Sequence, residues 1–143
     1  MKIAIACDHG GIEYKESLKK FLIEQGHEVE DFGCHDKTSC DYPDHAKPAA
    51  QSVAEGRNER GIVICSTGIG VSIAANKVPG VRCALVSDVM CARLTREHNN
   101  TNVLAMGQFV VGEHLMKEIV TVWLNTPFSE GERHIRRINK LEA

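Results

Sequence analysis

The stretch 63-VICSTGIGVSIAANK-77 decides how this chain folds. Val63, Ile64 and Cys65 close an apolar, strand-like run, the glycines Gly68 and Gly70 follow at once, and small apolar residues then recur at helical spacing. A strand that turns through glycines into a helix is the repeating unit of α/β architectures. Glycine lets a backbone approach a ligand closely, and the start of the next helix offers free N–H groups to an anion. Those amides suit a phosphate or an enolate-like oxyanion, and the same positive field favours the thiolate of Cys65 as a nucleophile or base. The plainer reading is a tight turn beneath a buried cysteine. A dinucleotide cradle also competes, because Asp88 follows about twenty residues on. Its third glycine is replaced by Ile73, and the motif follows the third strand-like run rather than the first.

Outward from this stretch, strand and helix patterns alternate. Strands are predicted at 2–7, 27–33, 61–65, 81–86 and 102–107, and helices at 11–26, 42–56, 69–77, 87–99 and 112–126, with a basic tail at 132–143 ending in another helix. Pro48 falls awkwardly within the first turns of its helix. This alternation implies a three-layer α/β/α sandwich around a five-stranded parallel sheet, Rossmann-like or flavodoxin-like, formed by residues 1–143 as one domain. Ligands of such sheets bind beyond the carboxyl ends of the strands. That directs attention to Cys7, Asp8 and His9, to Cys65 through Gly70, to Ser87 and Asp88, and to Gly107.

Composition narrows the function classes. A formal net charge of −2 argues against a nucleic-acid binder. No run of apolar residues is long enough for a membrane span, and the short apolar start, followed directly by acid, reads as a buried strand and points to a cytoplasmic protein. The six cysteines (7, 34, 40, 65, 83 and 91) contain no C-x-x-C pair and no standard zinc spacing, so neither a metal site nor a disulfide framework is expected.

Three further groups have chemical meaning. Asp8 and His9 stand where they could orient a sugar hydroxyl and a phosphate, although Asp8 also suits a helix N-cap. His98, in 96-REHNNTN-102, could move a proton near neutral pH or simply complement a helix end. Arg133 and Arg137, four apart on one helical face, could clamp a phosphate or form a solvated basic tail. His35, His45 and His114 show no pairing pattern and read as surface residues.

Together, "CDHGG" (7–11), "DYPDHA" (41–46), "GIVICSTGIGVSIAANKVPGVRCALV" (61–86), "REHNNTNVLAMG" (96–107) and "ERHIRR" (132–137) resemble the ribose-5-phosphate isomerase B family, which includes the galactose-6-phosphate isomerase subunits. The resemblance implies a metal-free and cofactor-free aldose–ketose isomerase. Cys65 would be the base moving a proton between C1 and C2. The loop Ser66, Thr67, Gly68, Ile69, Gly70 would hold the enediolate, with Thr67 beside the reacting atoms. His98 would open the furanose ring, and Asn99, Asp8, His9 and Tyr42 would bind the sugar. Arg133 and Arg137, with His9, would hold the phosphate. It also implies a homodimer, or a dimer of dimers, with sites shared between subunits. Ribose 5-phosphate and ribulose 5-phosphate are the expected pair. Three departures from the family pattern keep a six-carbon sugar 6-phosphate, or a non-catalytic binding subunit, in view. Ser66 stands for a glycine, Phe109 for an arginine that contacts phosphate, and Glu132 for the glycine before Arg133.

Overall fold

The computed structural model describes all 143 residues. Strands β1 (Lys2–Cys7), β2 (Glu28–Asp31), β3 (Arg60–Cys65), β4 (Cys83–Leu85) and β5 (Val103–Gly107) form one parallel sheet in the order β2-β1-β3-β5-β4. Six helices accompany them: α1 (Ile12–Glu24), α2 (Pro43–Ala54), α3 (Ile69–Asn76), α4 (Val89–Asn99), α5 (Glu113–Asn125) and α6 (Glu132–Glu142). The α/β class and the five-stranded parallel sheet expected from the sequence are both present.

Strand periodicity builds two different cores. Ile3, Ile5, Ile62, Ile64, Leu104 and Met106 face one way and pack with Leu18 and Leu22 of α1 and with Met116, Ile119 and Trp123 of α5. Their neighbours Ala4, Ala6, Val63, Val103 and Ala105 face the other way, against Ala46, Ala49 and Ala50 of α2 and Val71, Ala74 and Ala75 of α3. One face is filled by bulky side chains. The other is lined mostly by small ones, which let helix backbones lie close to the sheet. The chain leaves β1 toward one edge and returns to β3, so the topological switch lies between these two strands, and the crevice beyond their carboxyl ends is the natural ligand site.

Element bounds differ from expectation for identifiable reasons. The strand predicted at 81–86 keeps only Cys83–Leu85, because side chains take over the backbone bonds at its start. Asn102 Oδ1 accepts the Arg82 N–H at 2.9 Å, and Asn76 Oδ1 accepts the Cys83 N–H at 2.8 Å. Helix α1 stops at Glu24, before Gly26 at φ +91° turns the chain. Helix α2 continues through Pro48, which lies one turn inside, where only one early carbonyl loses its donor. No helix is long and apolar enough to cross a membrane.

One anchor escaped the sequence reading. Lys15, on the inner side of α1, has no exposed surface. Its Nζ donates to Asp31 Oδ1 at 2.9 Å and to the Cys34 carbonyl at 2.8 Å. Burial pushes the Lys15 ammonium down, but the Asp31 carboxylate outweighs it and raises the group above its ordinary value. These bonds fasten α1 to the last residue of β2 and to Cys34 just beyond it, next to the carboxyl end of β1.

Candidate active site

Three turns converge at the carboxyl ends of β1, β3 and β5. Cys65 is the last residue of β3, only 6% exposed, and its Sγ accepts the Gly68 N–H at 3.1 Å. Gly68 caps α3 at φ +80°, a conformation that favours glycine. A Cβ there would lie 2.5 Å from Leu85 Cδ1 and 2.7 Å from the Met106 carbonyl carbon, so both shape and backbone angle demand glycine. The β5 turn tracks the same loop. The Gln108 N–H donates to the Cys65 carbonyl at 2.9 Å and the Phe109 N–H to the Ser66 carbonyl at 3.0 Å. A Cβ on Gly107 would strike the Thr67 backbone. The thiol is therefore fixed by backbone contacts on both sides.

The β1 turn closes the rim. Asp8 is buried, and its Oδ1 accepts the Gly10 N–H at 2.8 Å. It does not cap α1, whose N-cap is Gly11 without a side-chain bond. Gly10 abuts the Ser66 hydroxyl, which joins the first and third turns. Tyr42, just before α2, lays its ring against Gly70, where a Cβ would come within 2.8 Å of the ring carbons. His9 is exposed, and its Nδ1 accepts the Cys40 N–H at 3.3 Å. Asp8, His9, Tyr42, Cys65, Ser66, Thr67, Gly68, Ile69 and Gly70 thus share one rim.

The amides of the loop are not all free. The Gly68 N–H is committed to Cys65 and the Ile69 N–H to Thr67 Oγ1 at 3.2 Å. The N–H groups that follow them in the first turn of α3 have no helical acceptor and remain available for an anion.

The other predicted residues lie elsewhere. Helix α4 starts beyond the rim at Asp88, whose Oδ1 accepts the Cys91 N–H at 2.7 Å. Asp88 is therefore a structural cap. The helix then runs back along the sheet for eleven residues, about 16 Å, and delivers His98 and Asn99 to the opposite end, where β3 and β5 begin. There the His98 ring stacks on His134 of α6, with centroids 4.4 Å apart and planes inclined by 12°. Burial, then the charges of Arg133, His98 and Arg137, push His134 below its ordinary value. Arg133 and Arg137 are exposed on the same helix. Arg96, by contrast, is buried and structural, donating from Nη1 to Asn100 Oδ1 at 2.8 Å and to the Thr101 carbonyl at 2.6 Å. A single chain does not bring His98, Asn99, Arg133 or Arg137 to Cys65.

A surface groove of about 690 Å³ also lies at this far end, between Lys77, Arg82, Asn99 and Leu141. The Cys65 rim does not line this groove. An apolar surface surrounds it instead, with Ile69, Ile73, Leu85, Met90, Phe109 and Val110 all exposed.

Two smaller findings concern possible ligands. Ligand atoms of Glu16, Asp31 and His35 lie within 4.8 Å of one another, but Asp31 is already engaged by Lys15 and Lys19. His45 is not simply a surface residue. It is half-buried, and its Nδ1 pairs with the Phe32 carbonyl at 3.0 Å. All six cysteines are free.

The proteins that share this fold and this strand-end thiol place the chain in a class, the sugar-phosphate isomerases. The chain belongs to the Ribose/Galactose Isomerase family, whose sequence profile matches residues 3–141. It is 46% identical over 142 residues to ribose-5-phosphate isomerase B of Escherichia coli, covering 99% of this chain and 95% of that protein. It is 40% identical to the galactose-6-phosphate isomerase subunit LacB of Clostridium acetobutylicum, covering 99% of this chain and 83% of that one. The solved ribose-5-phosphate isomerase B of Clostridium thermocellum superposes with a TM-score of 0.97 at 49% identity, covering 99% of this chain and 95% of that chain.

Proposed function

We propose that this chain acts as one domain that interconverts ribose 5-phosphate and ribulose 5-phosphate through an enediolate. The observation that carries the reading is the Cys65 thiol, oriented by the Gly68 N–H directly before the start of a helix. In the forward direction the Cys65 thiolate takes the proton from C2 of the open-chain aldose. The electron pair moves into the C1–C2 bond, and the carbonyl oxygen becomes an oxyanion. The first-turn amides of α3 stabilise that charge. Cys65 then returns the proton to C1, and a proton passes between the two oxygens beside the Thr67 hydroxyl, giving the ketose. Asp8, His9 and Tyr42 hold the sugar chain.

Ring opening and phosphate binding need a second copy. In this reading the apolar surface around the rim, Ile69 and Ile73 on α3 with Leu85, Met90, Phe109 and Val110, packs against a partner subunit. The partner's far end then supplies its ring-opening histidine, its asparagine and its two phosphate-binding arginines, while His9 adds to the phosphate site. A homodimer with two shared sites satisfies both the unpaired cations of one end and the uncovered apolar surface of the other. The free thiols fit a cytoplasmic setting.

The test is ribulose 5-phosphate formation from ribose 5-phosphate by the purified protein with a chelator present. Turnover is expected. Its absence in folded protein that turns over a six-carbon 6-phosphate would establish the second reading. That reading is favoured by one observation: Phe109, 78% exposed at the rim, offers an apolar ring where the family pattern has a cation.

A further inference from the structure

The segment between β2 and α2 carries two cysteines that the isomerisation chemistry does not use. Cys34 is buried in the core on the α1 and α5 side of the sheet, its thiol donates to the Asp36 carbonyl at 3.4 Å in the loop that leads to Cys40, and Cys40 packs against the same core. Cys40 is partly exposed, and its Sγ is 3.8 Å from His9 Nδ1. Residues 35–39 between them are exposed and belong to no helix or strand. One thiol is thus reachable from solvent with an imidazole beside it to accept its proton. The other waits behind it. We infer that Cys34 and Cys40 form a peroxide-driven disulfide that displaces Cys40 from His9 and so closes down the substrate rim.

The chemistry balances. The Cys40 sulfur attacks one oxygen of hydrogen peroxide. The O–O bond breaks, hydroxide leaves and takes up the thiol proton as water, and a sulfenic acid remains on Cys40. The Cys34 sulfur attacks the Cys40 sulfur, the S–O bond breaks, and the hydroxyl leaves with the Cys34 proton as a second water. Two thiols are oxidised by one peroxide. Cys7 also approaches Cys34, with its Sγ 3.7 Å from the Cys34 carbonyl, but it is only 1% exposed and has no access to oxidant. Two contacts transmit the change. The Cys40 N–H donates to His9 Nδ1, and two residues further on Tyr42 lies against Gly70. Drawing Cys40 inward toward Cys34 disturbs both.

The activity readout rests on the isomerase reading above, but bond formation does not, so the two are measured separately. The full-length protein is treated with hydrogen peroxide, its remaining thiols are alkylated, and it is digested with trypsin without reduction. Cleavage after Lys37 separates the two cysteines, so the disulfide appears as peptide 21–37 joined to peptide 38–57. Reduction should split the pair. In parallel, turnover should fall about tenfold, by misplacement of rim groups, and recover with dithiothreitol. The C40S and C34S variants should keep their activity under the same treatment. Cys40 found alkylated, or joined to another cysteine, would overturn the inference. Equal loss of activity in C40S and the parent protein would place the damage at Cys65 and overturn the gating role. If the protein turns over no sugar phosphate, the peptide map alone decides whether the disulfide forms.

Discussion

The two ends of the sheet hold their functional residues in opposite ways. At the carboxyl end Cys65 is nearly buried and receives the Gly68 N–H, and the Gln108 and Phe109 amides secure the backbone that carries it. At the amino end Arg133 and Arg137 stand in solvent on α6, and His98 is held by a ring stack on His134. The first end is pre-organised by backbone geometry within one chain, as a base and an oxyanion cradle require. The second is a pair of exposed cations beside a stacked histidine, far from the thiol. The proposed isomerase, which uses all of these groups at one substrate, would join the far end of one copy to the rim of another.

That contrast can be broken most directly at the thiol. Cys65→Ala should lower kcat by about 10³-fold, within the range of a lost general base, while the thermal midpoint stays close to that of the parent. Steady-state kinetics and a melting curve check both halves, and full activity would remove Cys65 from the chemistry.

The next test asks whether the two ends meet across subunits. His98→Asn should cost about 10²-fold in turnover of the cyclic substrate. If sites are shared, unfolding and refolding an equal mixture of the Cys65→Ala and His98→Asn proteins should restore about a quarter of parental activity, because half of the dimers then carry one intact site. No recovery in a mixture shown to contain heterodimers would mean that each chain completes its own site.

A smaller effect should follow from the arginines. Arg133→Ala or Arg137→Ala should raise KM about tenfold, the loss of one charge-assisted contact, with kcat little changed. An unchanged KM would return α6 to the role of a solvated tail.

The smallest effect concerns the anchor beside the rim. Burial pushes the Asp31 carboxyl up, but the Gly33 N–H and the Lys15 and Lys19 ammonium groups outweigh it and hold the carboxyl below its ordinary value. Asp31 therefore contributes stability above the ordinary carboxylate range and loses it as pH falls through its lower folded value. The difference in melting temperature between the parent and Asp31→Asn should be constant near neutrality and close only in acid. A difference that opened in acid instead would reverse the sign and show the carboxyl to be raised.

Much of this was legible in the order of residues. Alternating apolar runs and helical stripes gave the elements, and the glycines at 68 and 70 marked the turn that bears the thiol. The signals were local: periodicity, turn chemistry and the spacing of Arg133 and Arg137. Lys15 gave no such signal. A lysine in an amphipathic helix reads as exposed, and only the meeting of α1 with Asp31 and the Cys34 carbonyl makes its burial tolerable. The shortening of β4 was equally hidden, because the Asn76 and Asn102 side chains that accept the N–H groups at its start come from a preceding helix and from the start of a neighbouring strand.

The sequence by itself determined the fold class, the family and the identity of the chemical groups, because each depends on short-range pattern or residue type. Only the tertiary structure decided where those groups lie. The path of α4 carries His98 and Asn99 to the end of the sheet away from Cys65, and α6 keeps Arg133 and Arg137 with them. Distances between residues far apart in the chain are set by strand order and helix packing, which no local pattern encodes.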